Sequence, residues 1–217
     1  MMPATFRKAT FNRESEAVRL RQIMAAAGEY LAGTAGRPRL PPAESPLNPR
    51  LPPENNDERN TPCRVVDLGS GSGLIGMLIR KAGGEVTIVD ASSSRVSAEA
   101  RPFFHQADAV TYSLEPFDLI VCAGLLYHLN LSSQITLAAN MAGKPVILDT
   151  HFARRADVIR GEFSGQFRRP TKSTKTNRPF VHTIESLRKL FPQHDLTEPF
   201  PRLSADRKVM VLRPKSN

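Results

Sequence analysis

Residues 65–73, Val-Val-Asp-Leu-Gly-Ser-Gly-Ser-Gly, constrain this chain more than any other stretch. An apolar run ends on Asp67. Gly69, Gly71 and Gly73 then alternate with small residues, and 74–79 read as a helix. Glycine lets the backbone turn sharply and lets a ligand approach main-chain atoms with no Cβ in the way. A strand, a glycine-rich turn and a helix N-terminus form a nucleotide-binding corner. Residues 71–76 formally match G-x-G-x-x-G, in which the first glycine closely follows the strand and bare N–H groups meet a pyrophosphate. Here the strand instead ends at Asp67, with Gly69 intervening. A carboxylate at that corner opposes a pyrophosphate but suits a ligand bearing ammonium and sulfonium charge.

The elements that follow repeat the pattern. Residues 85–90 read as a second strand after the Gly83-Gly84 breaker. That strand ends on Asp90, about 20 residues beyond the glycines, near the spacing at which an acid binds a ribose diol. A carboxylate accepts from both hydroxyls at once. Residues 103–109 read as a third strand running into an acidic loop at Asp108, 117–122 as a fourth, and 144–151 as a fifth. Ligands of open α/β sheets bind at the carboxyl edge of such strands.

Residues 65–73 resemble motif I of the class I, seven-strand, Rossmann-like S-adenosylmethionine-dependent methyltransferases. Residues 117–129 resemble the element of that family in which Phe-Asp-Leu leads to Leu-Tyr-His-Leu, and 183–190 resemble its helix before the terminal hairpin. The resemblance is specific over 64–151 and thin elsewhere. It implies a doubly wound, seven-stranded, mostly parallel sheet with helices on both faces and the last strand antiparallel, 196–203 and 208–213 forming the final hairpin. It also implies S-adenosylmethionine as cofactor, held by Asp67, Gly69, Ser70, Gly71, Gly73, Asp90, Ala91, Asp108, Ala109 and Cys122. Asp108 inherits the adenine amino group, with a capping or surface role as the plainer alternative.

Outside that core, residues 13–31 place Val18, Leu20, Ile23, Met24, Ala27 and Leu31 mostly at three- and four-residue steps, an amphipathic helix. Its apolar stripe is expected to pack on the sheet, with a lid over the pocket as the alternative. Residues 36–62 hold eight prolines and read as an extended linker. The organisation expected is a helical extension over 1–35, a linker over 36–62 and the cofactor-binding domain over 63–217. Residues 153–161 suggest a short helix, 164–179 a polar basic loop, and Thr183 the cap of a further helix.

The chain of 217 residues carries 40% apolar residues and shows no membrane-length apolar run or secretory leader. Its two cysteines, Cys63 and Cys122, have no metal-ligand spacing, so no metal is expected, and the economical location is cytoplasmic. A net charge of +9 raises the prospect of an anionic partner such as RNA. Aromatics for base stacking are few near the basic clusters, which favours the bland reading of a solvated surface.

Methyl transfer from a sulfonium is an in-line displacement with an excellent leaving group. The enzyme therefore mainly aligns the reactants and excludes water. A base is needed only where the acceptor must lose a proton, and Tyr127, His128, Asp149 and His151 are the candidates at the carboxyl edge. Of these Tyr127, His128 and His151 are the expected catalytic residues. Tyr127 is otherwise a pocket wall, and Asp149 an anchor or an orienter of His151. The fourth strand is followed by Ala123-Gly124-Leu125-Leu126, where enzymes attacking an exocyclic base amine carry Asn- or Asp-Pro-Pro-Tyr. The leading expectation is transfer to oxygen or nitrogen of a small-molecule or saccharide acceptor. RNA modification is the alternative, since the Leu-Tyr-His-Leu element also occurs in enzymes resembling the wobble-uridine modifiers. An inactive scaffold would be expected to erode the glycines and acids, and an NAD(P) oxidoreductase would need a Tyr-x-x-x-Lys or comparable pair.

Overall fold

The computed structural model describes residues 4–34, 62–168, 178–201 and 206–216. The chain opens with α1 (Ala4–Thr34) and then runs β1 (Arg64–Leu68), α2 (Leu74–Lys81), β2 (Glu85–Asp90), β3 (Phe104–Gln106), β4 (Leu119–Ala123), α3 (Leu131–Asn140) and β5 (Val146–His151). An insertion follows, made of β6 (Val158–Arg160), β7 (Phe163–Phe167) and β8 (Phe180–His182). The chain closes with α4 (Ile184–Leu190), β9 (His194–Thr197) and β10 (Arg207–Pro214). The main sheet has seven strands in the order β3-β2-β1-β4-β5-β10-β9. The pairs β1–β2, β1–β4, β2–β3 and β4–β5 are parallel, and β10 runs antiparallel to both its neighbours. This is the doubly wound, seven-stranded architecture expected from the sequence, with the last strand reversed.

Strand periodicity of two builds the two layers of the core. Along β4, Leu119 and Val121 face one side with Ile23 and Ala27 of α1 and Ile75 and Ile79 of α2. Ile120 and Cys122 face the other side with Leu137 of α3 and Leu187 and Leu190 of α4. Central parallel strands covered on both faces read as nearly continuous apolar runs, as β1, β4 and β5 do. The expected amphipathic helix over 13–31 is part of α1, and its stripe packs on the sheet through Ile23, Ala26 and Ala27, all buried. The expected linker over 36–62 lies almost wholly outside the described residues.

Several strand ends differ from expectation for local reasons. β3 stops at Gln106 because Asp108 Oδ1 accepts from the Val110 N–H at 2.9 Å and turns the chain out of the sheet. β4 begins only at Leu119. The preceding Asp118 is occupied by Arg64, whose backbone N–H donates to its Oδ2 at 2.8 Å. The short helix expected over 153–161 is not formed. Val158–Arg160 is a strand, hairpin-paired with Phe163–Phe167 through a two-residue turn that begins with Gly161 at φ 59. β-Branched Val158 and Ile159 next to a glycine that reaches positive φ favour a hairpin over a helix turn. The loop expected over 164–179 is correspondingly strand as far as Phe167, and residues 169–177 lie outside the described residues.

The insertion is fastened to the main domain through a buried histidine. His182 on β8 meets Ser186 Oγ through Nδ1 at 2.8 Å and Gln134 Oε1 through Nε2 at 2.6 Å. The Gln134 amide donates to the carbonyls of Leu126 at 2.9 Å and Phe180 at 2.7 Å. Gln134 cannot accept and donate in this way unless His182 Nε2 carries the proton, which in the neutral ring leaves Nδ1 to accept from Ser186. Burial pushes the His182 pKa down to about 4. The unfolded chain therefore binds a proton that the folded chain refuses between pH 6.5 and about 4, and stability falls as pH drops through that window. Full loss amounts to about 3 kcal/mol. Urea denaturation at pH 6.5 and 4.5 on wild type and His182→Gln should show a smaller acid-side loss in the variant.

Candidate functional site

The carboxyl edge between β1 and β4 is where the strand order reverses, the place where open α/β sheets bind ligands. On the β1 side, Gly69, Gly71 and Gly73 adopt φ of 65, 59 and 80, a left-handed run for which glycine is the residue of choice. Space matters as much as torsion. A Cβ on Gly73 would stand 2.5 Å from the Ala100 methyl, and one on Gly69 would stand 2.9 Å from Leu125. The turn hangs from β2, because the N–H groups of Gly69 and Ser70 both donate to the Val89 carbonyl.

Two carboxylates flank this turn. Asp90 is spent partly on the protein, its Oδ2 accepting from Gly71 N–H and its Oδ1 from Ser92 N–H, each at 2.9 Å. Asp67 is 1% exposed, and its Oδ2 accepts from Gly76 N–H at 3.0 Å. Asp67 Oδ1 and Ser70 Oγ are both buried and have no hydrogen-bond partner among the described residues. Burial drives the Asp67 pKa up to about 7, with Asp90 adding to the rise and Gly76 N–H and Arg19 opposing it. Desolvation of a carboxylate produces a shift in that direction, and a cationic ligand against Oδ1 would reverse it.

The other cofactor candidates divide. Ala91 is exposed directly beyond Asp90, its carbonyl accepting from the Gln106 side chain at 3.3 Å. Asp108 is exposed in the turn after β3 and caps Val110 with one oxygen. The Ala109 side chain packs in the core beneath β1 and β4, as does that of Cys122, which is 0% exposed. Burial pushes the Cys122 thiol up to about 12. The thiol therefore offers a ligand no surface.

On the β4–β5 side, the three catalytic candidates come together. Tyr127 stands between two imidazoles, its ring centroid 4.4 Å from that of His128 and 4.6 Å from that of His151, the latter edge-on. A short 3-10 turn, Leu126–His128, presents the first pair, and the last residue of β5 presents His151. Burial first, then the charge of Arg168, lowers the pKa of both histidines. Arg95 and Arg207 push His128 the same way, whereas Asp206 partly offsets the fall at His151. Two neutral imidazoles at neutral pH are the proton-accepting form.

The carboxylate partner of His151 is Asp206, whose Oδ2 lies 3.2 Å from Nδ1. A carboxylate on Nδ1 holds the proton there and leaves Nε2 free to accept, the logic of a base with an orienter. The sequence reading missed Asp206, since only the antiparallel register of β10 against β5, Arg207 beside His151, brings it alongside. Asp149, expected as an anchor or as an orienter of His151, is placed as an anchor. Fully buried, it accepts from Arg207 Nε at 2.9 Å and a second Arg207 nitrogen at 2.6 Å, and from Arg19 Nε at 2.6 Å. Arg19 lies four residues before Ile23, on the apolar stripe of α1. An arginine at that position was the available signal for a buried acid partner.

A doubly wound sheet with a glycine-rich turn at its switch point, flanked by two acidic strand positions, defines a Rossmann-like nucleotide-binding domain. Residues 65–143 match the family model of the methyltransferase domain. That segment is similar to a methyltransferase domain, and the sheet around it has the Rossmann-like, seven-stranded fold. No curated protein matches the chain. Among solved structures, the N-terminal domain of EvdMO1, crystallised with SAH bound, is similar at 20% identity and TM-score 0.57 over 70% of this chain and 75% of that one. The Burkholderia thailandensis 1,6-didemethyltoxoflavin-N1-methyltransferase, crystallised with 1,6-didemethyltoxoflavin and S-adenosylhomocysteine, is similar at 16% identity and TM-score 0.56 over 100% and 92%. The magnesium protoporphyrin IX methyltransferase of Synechocystis PCC 6803, crystallised with SAM, is similar at 16% and TM-score 0.56 over 94% and 83%. Among the described residues no helix is long and apolar enough to cross a membrane, and no group of histidine, cysteine and acidic side chains is placed to hold a metal ion.

Proposed function

We propose that the protein transfers a methyl group from S-adenosylmethionine to an oxygen or nitrogen of a small-molecule acceptor. The observation that carries this reading is the Asp67 carboxylate, buried at the glycine turn with Oδ1 unpartnered and Ser70 Oγ unpartnered beside it. A buried polar atom without a partner costs about 1–3 kcal/mol, so a ligand that satisfies it gains that much in return. The ammonium of S-adenosylmethionine fits Asp67, and Asp90 remains able to accept from a ribose diol through its free lone pairs. The cofactor supplies an electrophilic methyl on a sulfonium, and the chain's work is to bind, align and keep water away. Tyr127 and His128 would form the acceptor wall. His151, held by Asp206, would take the proton of an acceptor hydroxyl or ammonium. Two of the structurally similar enzymes, those acting on the toxoflavin precursor and on magnesium protoporphyrin, also work on small molecules.

The first test is ligand-dependent stability of the whole chain. S-adenosylhomocysteine at a hundredfold excess over Kd should raise stability by about 2.7 kcal/mol, and NADH should not. A shift with NADH alone would overturn the reading of the glycine turn.

A further inference from the structure

Next to the imidazoles lies a cavity of about 660 Å³, walled by Arg154, Arg155, Asp157, Gln166, Arg168 and Asp206. It sits between the insertion strand β7 and the segment leaving β5, and it joins the candidate site through shared residues. Arg168 lies 3.5 Å from Asp206 Oδ2, and its guanidinium stands 5.5 Å over the Tyr127 ring. The two acids on the wall are already engaged. Asp157 accepts from the Gln166 amide at 2.6 Å, and Asp206 from His151 and Arg168. Arg155 has no hydrogen bond or ion pair among the described residues. The guanidiniums of Arg155 and Arg168 thus face a concave space whose carboxylates are engaged. A second cavity, lined by Pro62, Met77 and Glu85 among others, lies at the opposite, amino end of β2 and has no connection with the imidazoles.

We propose that the acceptor is a small anion, whose carboxylate or phosphate is gripped by Arg155 and Arg168 in this cavity while its methylated atom lies against Tyr127, His128 and His151. The inference rests on the methyltransferase reading and adds the substrate class to it. Guanidinium forks match carboxylate and phosphate oxygens with paired, charge-assisted hydrogen bonds, which gives orientation as well as affinity. The same field serves the chemistry. Arg168 is the largest charge acting on both histidines and keeps them neutral before the acceptor arrives; an anion bound to it offsets part of that charge and eases proton uptake by an imidazole. A concave basic pocket of this size suits a small acceptor, whereas a nucleic acid is met by extended basic surfaces and stacking aromatics.

The test uses the full chain saturated with S-adenosylhomocysteine. Inorganic phosphate and acetate are titrated separately, and arginine Nε–H and histidine ring resonances are followed, with glycerol as the neutral control. Millimolar binding of both anions, shifts at Arg168 and His151, and at least a tenfold weakening in the Arg155→Gln/Arg168→Gln variant are expected. Arg155→Gln alone, at an exposed position, serves as the second variant, and thermal midpoints show that both fold. Absence of anion binding, or unchanged binding in both variants, would overturn the proposal. So would submicromolar tRNA binding that displaces phosphate and is lost in the same variants, which would assign the cavity to a nucleic-acid phosphate. If S-adenosylhomocysteine itself fails to bind wild type, the methyltransferase reading falls first and takes this inference with it.

Discussion

Asp67→Asn should weaken S-adenosylhomocysteine binding about a hundredfold while leaving the apo protein no less stable. The two halves of this result come from one carboxylate. In the apo fold Asp67 is buried with a pKa near 7, so the folded chain holds a proton that the unfolded chain releases near pH 4. Stability from this group is therefore present in acid and is lost as pH rises from about 4 to about 7, by an amount on the order of 4 kcal/mol. Asparagine keeps an acceptor for Gly76 N–H and carries no charge to desolvate. The stability difference between variant and wild type should thus grow in the variant's favour up to about pH 7 and then level off. Ligand binding runs the other way. An ammonium against Oδ1 needs the carboxylate ionised, and truncating one partner of a buried, hydrogen-bonded charge pair costs about 2–5 kcal/mol. Wild-type affinity should weaken roughly tenfold per unit as pH falls below 7, and Asp67→Asn should flatten that slope. Titration calorimetry between pH 5.5 and 8.5 reads both. A pH-independent wild-type Kd would mean that Oδ1 does not meet the cation.

His182 tilts stability in the opposite sense over nearly the same range, losing it as pH falls below 6.5. Wild type should consequently show a shallower pH profile than either variant alone. The two sites lie on different elements, so their contributions should add.

The parts legible in the sequence were those written in local patterns. The glycine turn, the acids closing β1 and β2, and the apolar runs of the central strands follow from backbone sterics and two-sided burial, and each lies in a short window. The cap at Thr183 is equally local: its Oγ1 accepts from Ser186 N–H at 3.1 Å. The insertion was misread because Val158-Ile159-Arg160 carries no decisive period over three residues, and its partner strands arrive from residues further along the chain. The acid that orients His151 was not legible for a related reason. Asp149 stands two residues before His151, and proximity in sequence suggested the pairing. Alternation along β5 instead sends Asp149 toward α1 and β10, and the orienting acid comes from residue 206, across the sheet. Side-chain partners that meet only through register are not visible until the register is known.

Asp149→Asn should be strongly destabilising, and the reason separates an anchor from a base. Three guanidinium–carboxylate contacts at 2.6–2.9 Å tie α1 and β10 to the end of β5. Breaking a buried ionic cluster by removing one partner costs about 3–5 kcal/mol, because Arg19 and Arg207 are left half-buried without their counter-charge. For a chain of this size that corresponds to a fall in Tm of roughly 10 °C. The apolar contacts of Ile23 and Ala27 still hold α1, so the expected signature is local. Amide exchange should speed up in α1 and β10 well before it does in β1 and β4. A double-mutant cycle settles the mechanism. If Asp149 is an electrostatic anchor, Arg19→Met should cost much less in the Asp149→Asn background than in wild type, since the charge it leaves unpaired is already gone. Additive costs would mean that the two side chains stabilise the fold independently, and the anchoring of α1 would then rest on its apolar stripe alone.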